Sequence, residues 1–347
     1  MKFKSVALCA SVALLSACGG GGSSPTPTAT GTPAPTPAPT PAPTPPPTTF
    51  NELTGDQVFN TACVSDTTIP GQINFSRFSE GFTFNFQEAG ETWSIQGESA
   101  NLDTFDISFG PDDISAEEEG LFVVYRKVSP LSTSTPPRED IFGFGAPQAE
   151  NSAGDTQIGE FVRLANFIGI PQRNNPSAPA GVSDLLNCVF GIATELDDTL
   201  PSSTITFSSL LSNNGTASVQ LGNGPLRFFD LDDSVLTFTA DPATGDLSFT
   251  LDLQGREVTP DPNGGPPIVS DTVTPLGSFS GNASISGDVQ GFEGTTANSS
   301  GLAAGEFTGW FFGPQGAELG LAVNGNAQLQ DSSIVNFRMT IGGPQDP

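Results

Sequence analysis

VLTFTADPATGDLSFTLDL, residues 235–253, carries apolar and polar side chains in strict alternation on both sides of one turn. Leu236, Phe238 and Ala240 alternate with Thr237 and Thr239. Leu247, Phe249, Leu251 and Leu253 alternate with Ser248, Thr250 and Asp252. A period of two is the signature of a strand with one buried face. Pro242 presets φ for the turn, and Gly245 can take the left-handed conformation that brings the second strand back. A slip of one residue would throw four large apolar groups into water, so the register is strongly specified. The pattern recurs along the chain. Val335, Phe337, Met339 and Ile341 alternate with Asn336, Arg338 and Thr340, and Phe82, Phe84 and Phe86 share one face. Glycine-rich turns recur at short intervals between 215 and 325, and no long amphipathic helix competes. Many short antiparallel strands, each with one apolar face, argue an all-β barrel or sandwich. A small barrel also removes sheet edges, a useful property for a protein crowded on a surface.

The amino terminus reads as an address. Lys2 and Lys4 precede an apolar run from Val6 to Leu15 and the small residues Ser16 and Ala17. That is a secretory signal, too short for the ~20 residues of a membrane span. The ending LLSAC resembles the lipobox of bacterial lipoproteins, which implies cleavage after residue 17 and lipid on Cys18. Several acyl chains at ~0.8 kcal/mol per buried methylene make a durable membrane anchor. Gly19, by resemblance to enterobacterial sorting, favours the outer membrane. Residues 18–49 form a linker of glycine followed by Pro-Thr and Pro-Ala repeats, with no charged residue. Such a segment cannot bury a core. It reads as a semi-rigid polyproline stalk, reaching ~70 Å from Pro25 to Pro47 at ~3.1 Å per residue, or as a plain disordered linker.

Composition narrows the function. The chain has 11 basic and 38 acidic residues, for a formal charge of −27. Nucleic acid and anionic lipid headgroups would both be repelled. The absence of histidine removes Ser-His-Asp triads, Cys-His pairs and His-ligated zinc or haem. The acidic runs Asp112-Asp113, Glu117 to Glu119, Asp197-Asp198 and Asp230 to Asp233 sit among turn-forming residues and read as solvated faces. No calcium loop with alternating acids, a glycine and a final glutamate can be aligned. Neither an enzymatic activity nor a cofactor or metal is expected. Beyond Cys18, the mature chain holds Cys63 and Cys188. An even pair in an oxidising compartment suggests a disulfide; two buried free thiols are the other reading.

One segment, GEFTGWFFGPQGAELGLAVNG at 305–325, resembles the barrel signature of transferrin-binding protein B and its relatives. There a strand ends in an aromatic pair, Gly and Pro, and A-x-E-L-G starts the next strand. Phe311, Phe312, Gly313 and Pro314 supply the first half here, and Ala317, Glu318, Leu319 and Gly320 the second. Read physically, this is a hairpin whose aromatics pack inward, whose Gly-Pro breaks the strand, and whose Gly320 allows close backbone approach. Cys188, Gly191 and Thr194, followed by Asp198 and Pro201, resemble the junction that enters such a barrel. The matches frame under half the chain. They imply an eight-stranded antiparallel barrel at 201–343, preceded by a handle-like β domain at 50–200, and thus one lobe of a bilobed receptor lipoprotein. The chain departs from host-binding relatives in its single lobe, its acidity and the lack of any matched ligand loop, so transferrin itself does not carry over.

The combined expectation is a non-enzymatic outer-membrane surface lipoprotein that captures an extracellular protein or solute. A structural or protective surface lipoprotein is the alternative, and a periplasm-facing anchor the alternative placement. A TonB-dependent receptor and a surface lipoprotein translocator are the partners such a protein would work with. Within it, 201–343 is expected to fold without metal, with its interior filled by phenylalanines and its partner met by rim loops. The segment from Thr259 to Ile268 is the candidate loop, because its prolines lower the ordering cost on binding. The first test concerns the anchor. The intact mass of membrane-extracted protein should show loss of residues 1–17 and two or three acyl chains at Cys18. An unacylated soluble main species would contradict it.

Overall fold

The computed structural model describes residues 48–66, 73–76, 82–99, 102–118, 120–129, 138–150, 156–171, 184–195, 197–208, 212–221, 224–261, 267–286, 290–328 and 333–346. The signal, Cys18 and nearly all of the stalk lie outside them. Among the described residues there is no α-helix, only four short 3-10 turns between strands.

Thirteen strands precede residue 192. They are β1 (Gln57–Asn60), β2 (Ala62–Asp66), β3 (Ile73–Ser76), β4 (Phe82–Gln87), β5 (Thr92–Ser99), β6 (Leu102–Phe109) and β7 (Ile114–Glu118). Then come β8 (Phe122–Ser129), β9 (Arg138–Gly145), β10 (Gln148–Glu150), β11 (Thr156–Ile158), β12 (Val162–Pro171) and β13 (Asp184–Gly191). They form a four-stranded sheet, β1-β4-β5-β6, and a seven-stranded sheet, β3-β2-β13-β12-β9-β8-β7, with β10-β11 as a separate pair. Aromatic rings fill the space between the two larger sheets. Phe84 meets Phe142 at 5.3 Å and Phe190 at 5.0 Å, and Phe109 meets Phe142 at 5.6 Å. The two Phe84 pairs are edge to face, and aromatic pairs of this kind add about 0.5–1.5 kcal/mol each beyond the area they bury.

Ten more strands form the barrel. They are β14 (Ile205–Phe207), β15 (Ser212–Leu221), β16 (Leu226–Asp230), β17 (Val235–Asp241) and β18 (Asp246–Thr259). The remainder are β19 (Ile268–Ser284), β20 (Gly291–Asn298), β21 (Ala303–Phe312), β22 (Glu318–Gln328) and β23 (Ser333–Pro344). Strands β16 and β17 lie end to end along one side of β18, and β14 and β15 pair with them in turn. Counting each such pair as one interrupted stave, the ring has eight antiparallel staves and closes through β15–β23 and β18–β19. The expected eight-stranded barrel after a β domain is therefore what forms. The register across the 242–245 turn matches the alternation, with Leu236 facing Leu251, Phe238 facing Phe249 and Ala240 facing Leu247. Phe207, Phe229, Phe238, Phe249, Phe279, Phe292, Phe307, Phe311 and Phe337 all lie in the enclosed core. Phe249 and Phe307 stand edge to face at 4.9 Å, and Phe279 and Phe337 approach to 4.5 Å. Over Phe229, the Arg227 guanidinium sits 5.2 Å from the ring and pairs with Glu257.

Around β2, β13 and β12 the seven-stranded sheet is a middle layer, buried on both faces, while its β7 edge is exposed. Along β2, Cys63 points to the aromatic sandwich while Ala62 and Val64 point to the barrel wall. Along β13, Cys188 and Phe190 face the sandwich and Val189 faces the barrel. Phe312 and Ala322 meet this second face from the barrel side. Residues 46–347 thus make one compact unit. A fragment starting at residue 201 would expose Phe312 and Ala322, so the barrel's freedom to fold alone carries a cost that alternation did not reveal.

Cys63 and Cys188 are direct cross-strand partners and are joined as a disulfide, with an S–S distance of 2.03 Å and Cα atoms 4.1 Å apart. Both cysteines are almost fully buried. The bond closes a loop of 125 positions. Loop-closure entropy alone gives about 5 kcal/mol for a loop this long. The double substitution Cys63→Ala, Cys188→Ala should lower urea-measured stability by several kcal/mol. The native bond should resist mild reductant until the body unfolds, as followed by alkylation and mass.

Candidate functional site

The two motif segments, over a hundred residues apart, meet at the joint between handle and barrel. Strand β21 ends at Phe312 and bridges Ala193. The Thr194 N–H donates to the Phe311 carbonyl at 2.9 Å, and the Gly313 N–H donates to the Ile192 carbonyl at 2.9 Å. The Thr194 hydroxyl donates to the Gly313 carbonyl at 2.7 Å. Close approach makes three glycines necessary. Gly313 has φ +70°, and a Cβ there would lie 2.4 Å from the Phe161 ring. Gly191 has φ +152°, and its Cβ would lie 2.2 Å from the Phe161 carbonyl oxygen. At Gly320 a Cβ would meet the Val189 side chain at 2.3 Å. The structure corrects the expectation that both aromatics pack inward. Successive residues of a strand point to opposite faces, so Phe311 enters the barrel core while Phe312 enters the joint.

Glu318 is the polar centre of this joint. Its carboxylate accepts the main-chain N–H groups of Glu160 at 2.5 Å, Phe161 at 3.0 Å and Val162 at 2.7 Å. Burial pushes its carboxyl up from the ordinary glutamate value, while the three donors and the nearby Arg163 charge pull it back down. Arg163 is 3% exposed. Its guanidinium donates to the carbonyls of Gly159 and Val162 and to Asn51 Oδ1, and lies 4.2 Å from the Phe50 ring centroid. Desolvation lowers its pKa to about 10. Phe50, just beyond the stalk, donates its N–H to the Glu160 carbonyl and stacks on Phe59. One short segment, Gly159 to Arg163, is therefore gripped by the barrel and by the root of the stalk. Neither Arg163 nor this segment was legible beforehand, because the sequence around them carries no motif. The sole signal was an arginine in a strand otherwise apolar.

The other candidate residues are scattered. Cys18 lies outside the described residues, as do positions 262–266 of the loop proposed at Thr259–Ile268. Asp112 and Asp113 sit in a 3-10 turn, and Glu117 and Glu118 lie exposed on β7. Asp198 ties down the connection between handle and barrel, its carboxylate accepting the Gln315 N–H at 2.6 Å. Asp233 forms a two-pronged pair with Arg256. The carboxyl of Asp232 is pushed up to about 7, first by loss of water around it and then by Asp230 and Asp233, although the residue remains open to solvent. Among the described residues no group of three or more acids, cysteines or histidines is arranged to hold a metal.

An apolar patch lies on the outside of the barrel. Leu226 and Phe228 are 45% and 54% exposed. Phe228 faces Val258 on β18, which faces Val269 on β19, 46% exposed. Val273 extends the patch beside Arg256. Asp230 and Asp271 lie beside Arg256 at its border, and both nearby arginines, 227 and 256, are already engaged by Glu257 and Asp233. Elsewhere the outer positions of β17 and β18 include Thr237, Thr239, Ser248 and Thr250, with the exposed Val235 opposite Asp252. Apolar inside and polar outside is the reverse of a barrel built to sit in lipid. No helix of the described residues is long and apolar enough to cross a membrane.

Removing the Glu318 carboxylate would leave three buried N–H donors without an acceptor and take away the charge beside Arg163. Glu318→Ala should cost about 3–5 kcal/mol in urea unfolding. Gly320→Ala should cost about 1–3 kcal/mol through overpacking against Val189. Both losses should vanish from a stability measurement if the joint were not part of the cooperative unit.

No family model and no curated protein matches the chain. Among solved structures it is similar to a double mutant of transferrin binding protein B from Haemophilus parasuis, at 13% identity and TM-score 0.30, over 84% of this chain and 76% of that one. It is also similar to isotype 1 transferrin binding protein B from serogroup B Neisseria meningitidis, at 10% identity and TM-score 0.29, over 86% and 77%. Values this low assign neither family nor ligand.

Proposed function

We propose that the chain is a non-enzymatic binding module, held at the outer surface of the outer membrane by lipid on Cys18, that captures an extracellular protein on its barrel wall. The observation that carries this reading is the row Phe228, Val258 and Val269, flanked by the exposed Leu226 and Val273, where apolar side chains stand together on neighbouring strands of an outer face that is more polar along β17 and β18. Burying one such side chain contributes about 1.5–3 kcal/mol, enough for a few of them to hold a partner when its polar rim is matched. The acids around the patch select that partner. An anionic lipid surface is disfavoured, and a protein presenting apolar groups among lysines or arginines is favoured. The filled interior supports the same reading, since it places recognition outside the barrel. A proline-rich spacer lifts the body clear of the membrane. A TonB-dependent receptor to take over cargo and a translocator to carry the lipoprotein outward are the partners this reading requires.

The test compares the body with its Phe228→Ser, Val269→Ser variant as bait for extracellular proteins from the organism's natural medium. The wild type should retain a basic protein that the variant binds at least tenfold more weakly, with raised salt weakening the wild-type complex. Identical retention by both proteins, at unchanged melting midpoints, would assign the wall no capture role and favour a structural surface lipoprotein.

A further inference from the structure

A separate concavity of about 570 Å³ opens at the barrel end where β17 turns into β18 and β19 leads towards β20. Leu200, Pro201, Pro242 and Ile285 give it apolar walls, and Thr244 and Gln290 add hydroxyl and amide groups. Among the described residues that line it, none is charged. Its size falls within the range of about 300–1,000 Å³ typical of small-molecule sites.

The walls are held in place. The Gly245 N–H donates to the Asp241 carbonyl at 2.8 Å, and the Ile285 N–H donates to the Gly245 carbonyl at 2.7 Å, which couples two successive turns. The Ala243 N–H donates to Asp241 Oδ1 at 3.0 Å. On the opposite side, the Gln290 side-chain amide donates to the carbonyls of Glu195 and Asp198 at 3.0 and 2.8 Å, anchoring the connection that supplies Leu200 and Pro201. Pro201 and Pro242 have fixed φ, so little conformational entropy is lost when a ligand enters.

We propose that this concavity binds an uncharged, largely apolar small molecule. A charged ligand would lose its hydration against the aliphatic and proline surfaces of the described walls. An anion would also meet Asp241 and Asp246, which flank the turn. The hydroxyls of Thr199, Ser202 and Thr244 can orient one polar substituent, while the aliphatic and proline surfaces supply the driving force. The site is distinct from the exposed wall and stands whether or not that wall captures a protein.

The compact body 46–347, free of lipid and detergent, is titrated with N-phenyl-1-naphthylamine, an uncharged apolar fluorophore. One saturable site with blue-shifted emission is expected. Ala243→Trp and Ser202→Trp, both at exposed positions on the concavity's border, should each weaken binding at least tenfold at an unchanged melting midpoint. Phe228→Ser should leave the affinity within twofold. Absence of saturable binding, indifference to both tryptophans, or loss of binding in Phe228→Ser would each overturn the proposal.

Discussion

The Glu318 carboxylate accepts three main-chain N–H groups from Glu160, Phe161 and Val162, and so decides how two β structures become one body. Taking a carboxylate out of water is costly unless donors replace the lost solvation. Here the donors come from a different domain, so the cost is offset only when handle and barrel are docked. The same five-residue segment is held from its other side by Arg163, which binds Asn51 and lies against Phe50. Asn51 and Phe50 are thereby tied to the segment that the barrel holds through Glu318. The motif glycines follow from that geometry, because Phe161 and Val189 come too close for a Cβ at Gly191, Gly313 or Gly320.

The phenylalanine-filled barrel has a functional consequence. A lumen occupied by Phe249, Phe279, Phe307 and Phe337 is a packed core, and packed cores have little free volume for a ligand. Chemistry that meets the outside world is pushed to the wall and the ends. At one end Arg227 and Glu257 pair above Phe229. At the end holding the 242–245 turn, the connection from the handle supplies Leu200 and Pro201 to an apolar-walled concavity. The wall between these ends is mostly polar, which is what lets the Phe228–Val258–Val269 row stand out as a surface rather than a defect.

Charge acts over a longer range than either feature. With only nine basic residues against 38 acids beyond residue 45, the body approaches basic partners faster than neutral ones and stays away from anionic surfaces. At physiological ionic strength this field fades over about 8 Å. Acids distant from the patch therefore contribute solubility, while Asp230 and Asp271 shape what approaches it.

Much of this architecture was legible in the residues themselves. Alternation over 235–253 specified the strands, their inward faces and their register, because a side-chain period of two leaves a half-buried strand only one way to lie. The hairpin at 311–320 was equally readable, since Gly-Pro ends a strand wherever it occurs. What alternation could not convey is what covers the other face. Arg338 and Thr340 read as outward polar residues, and they are outward, yet the handle buries them to 5% and 0% exposure. Phe312 and Glu318 read as parts of one turn, yet their partners lie in a segment more than 150 positions away. The apolar row across β16, β18 and β19 joins residues 226 to 273 that are neighbours only through strand pairing. Local sequence determines periodicity, and periodicity determines strands. Which surfaces meet, and which stay open to a partner, depends on contacts between residues far apart in the chain, and only the folded structure decides those.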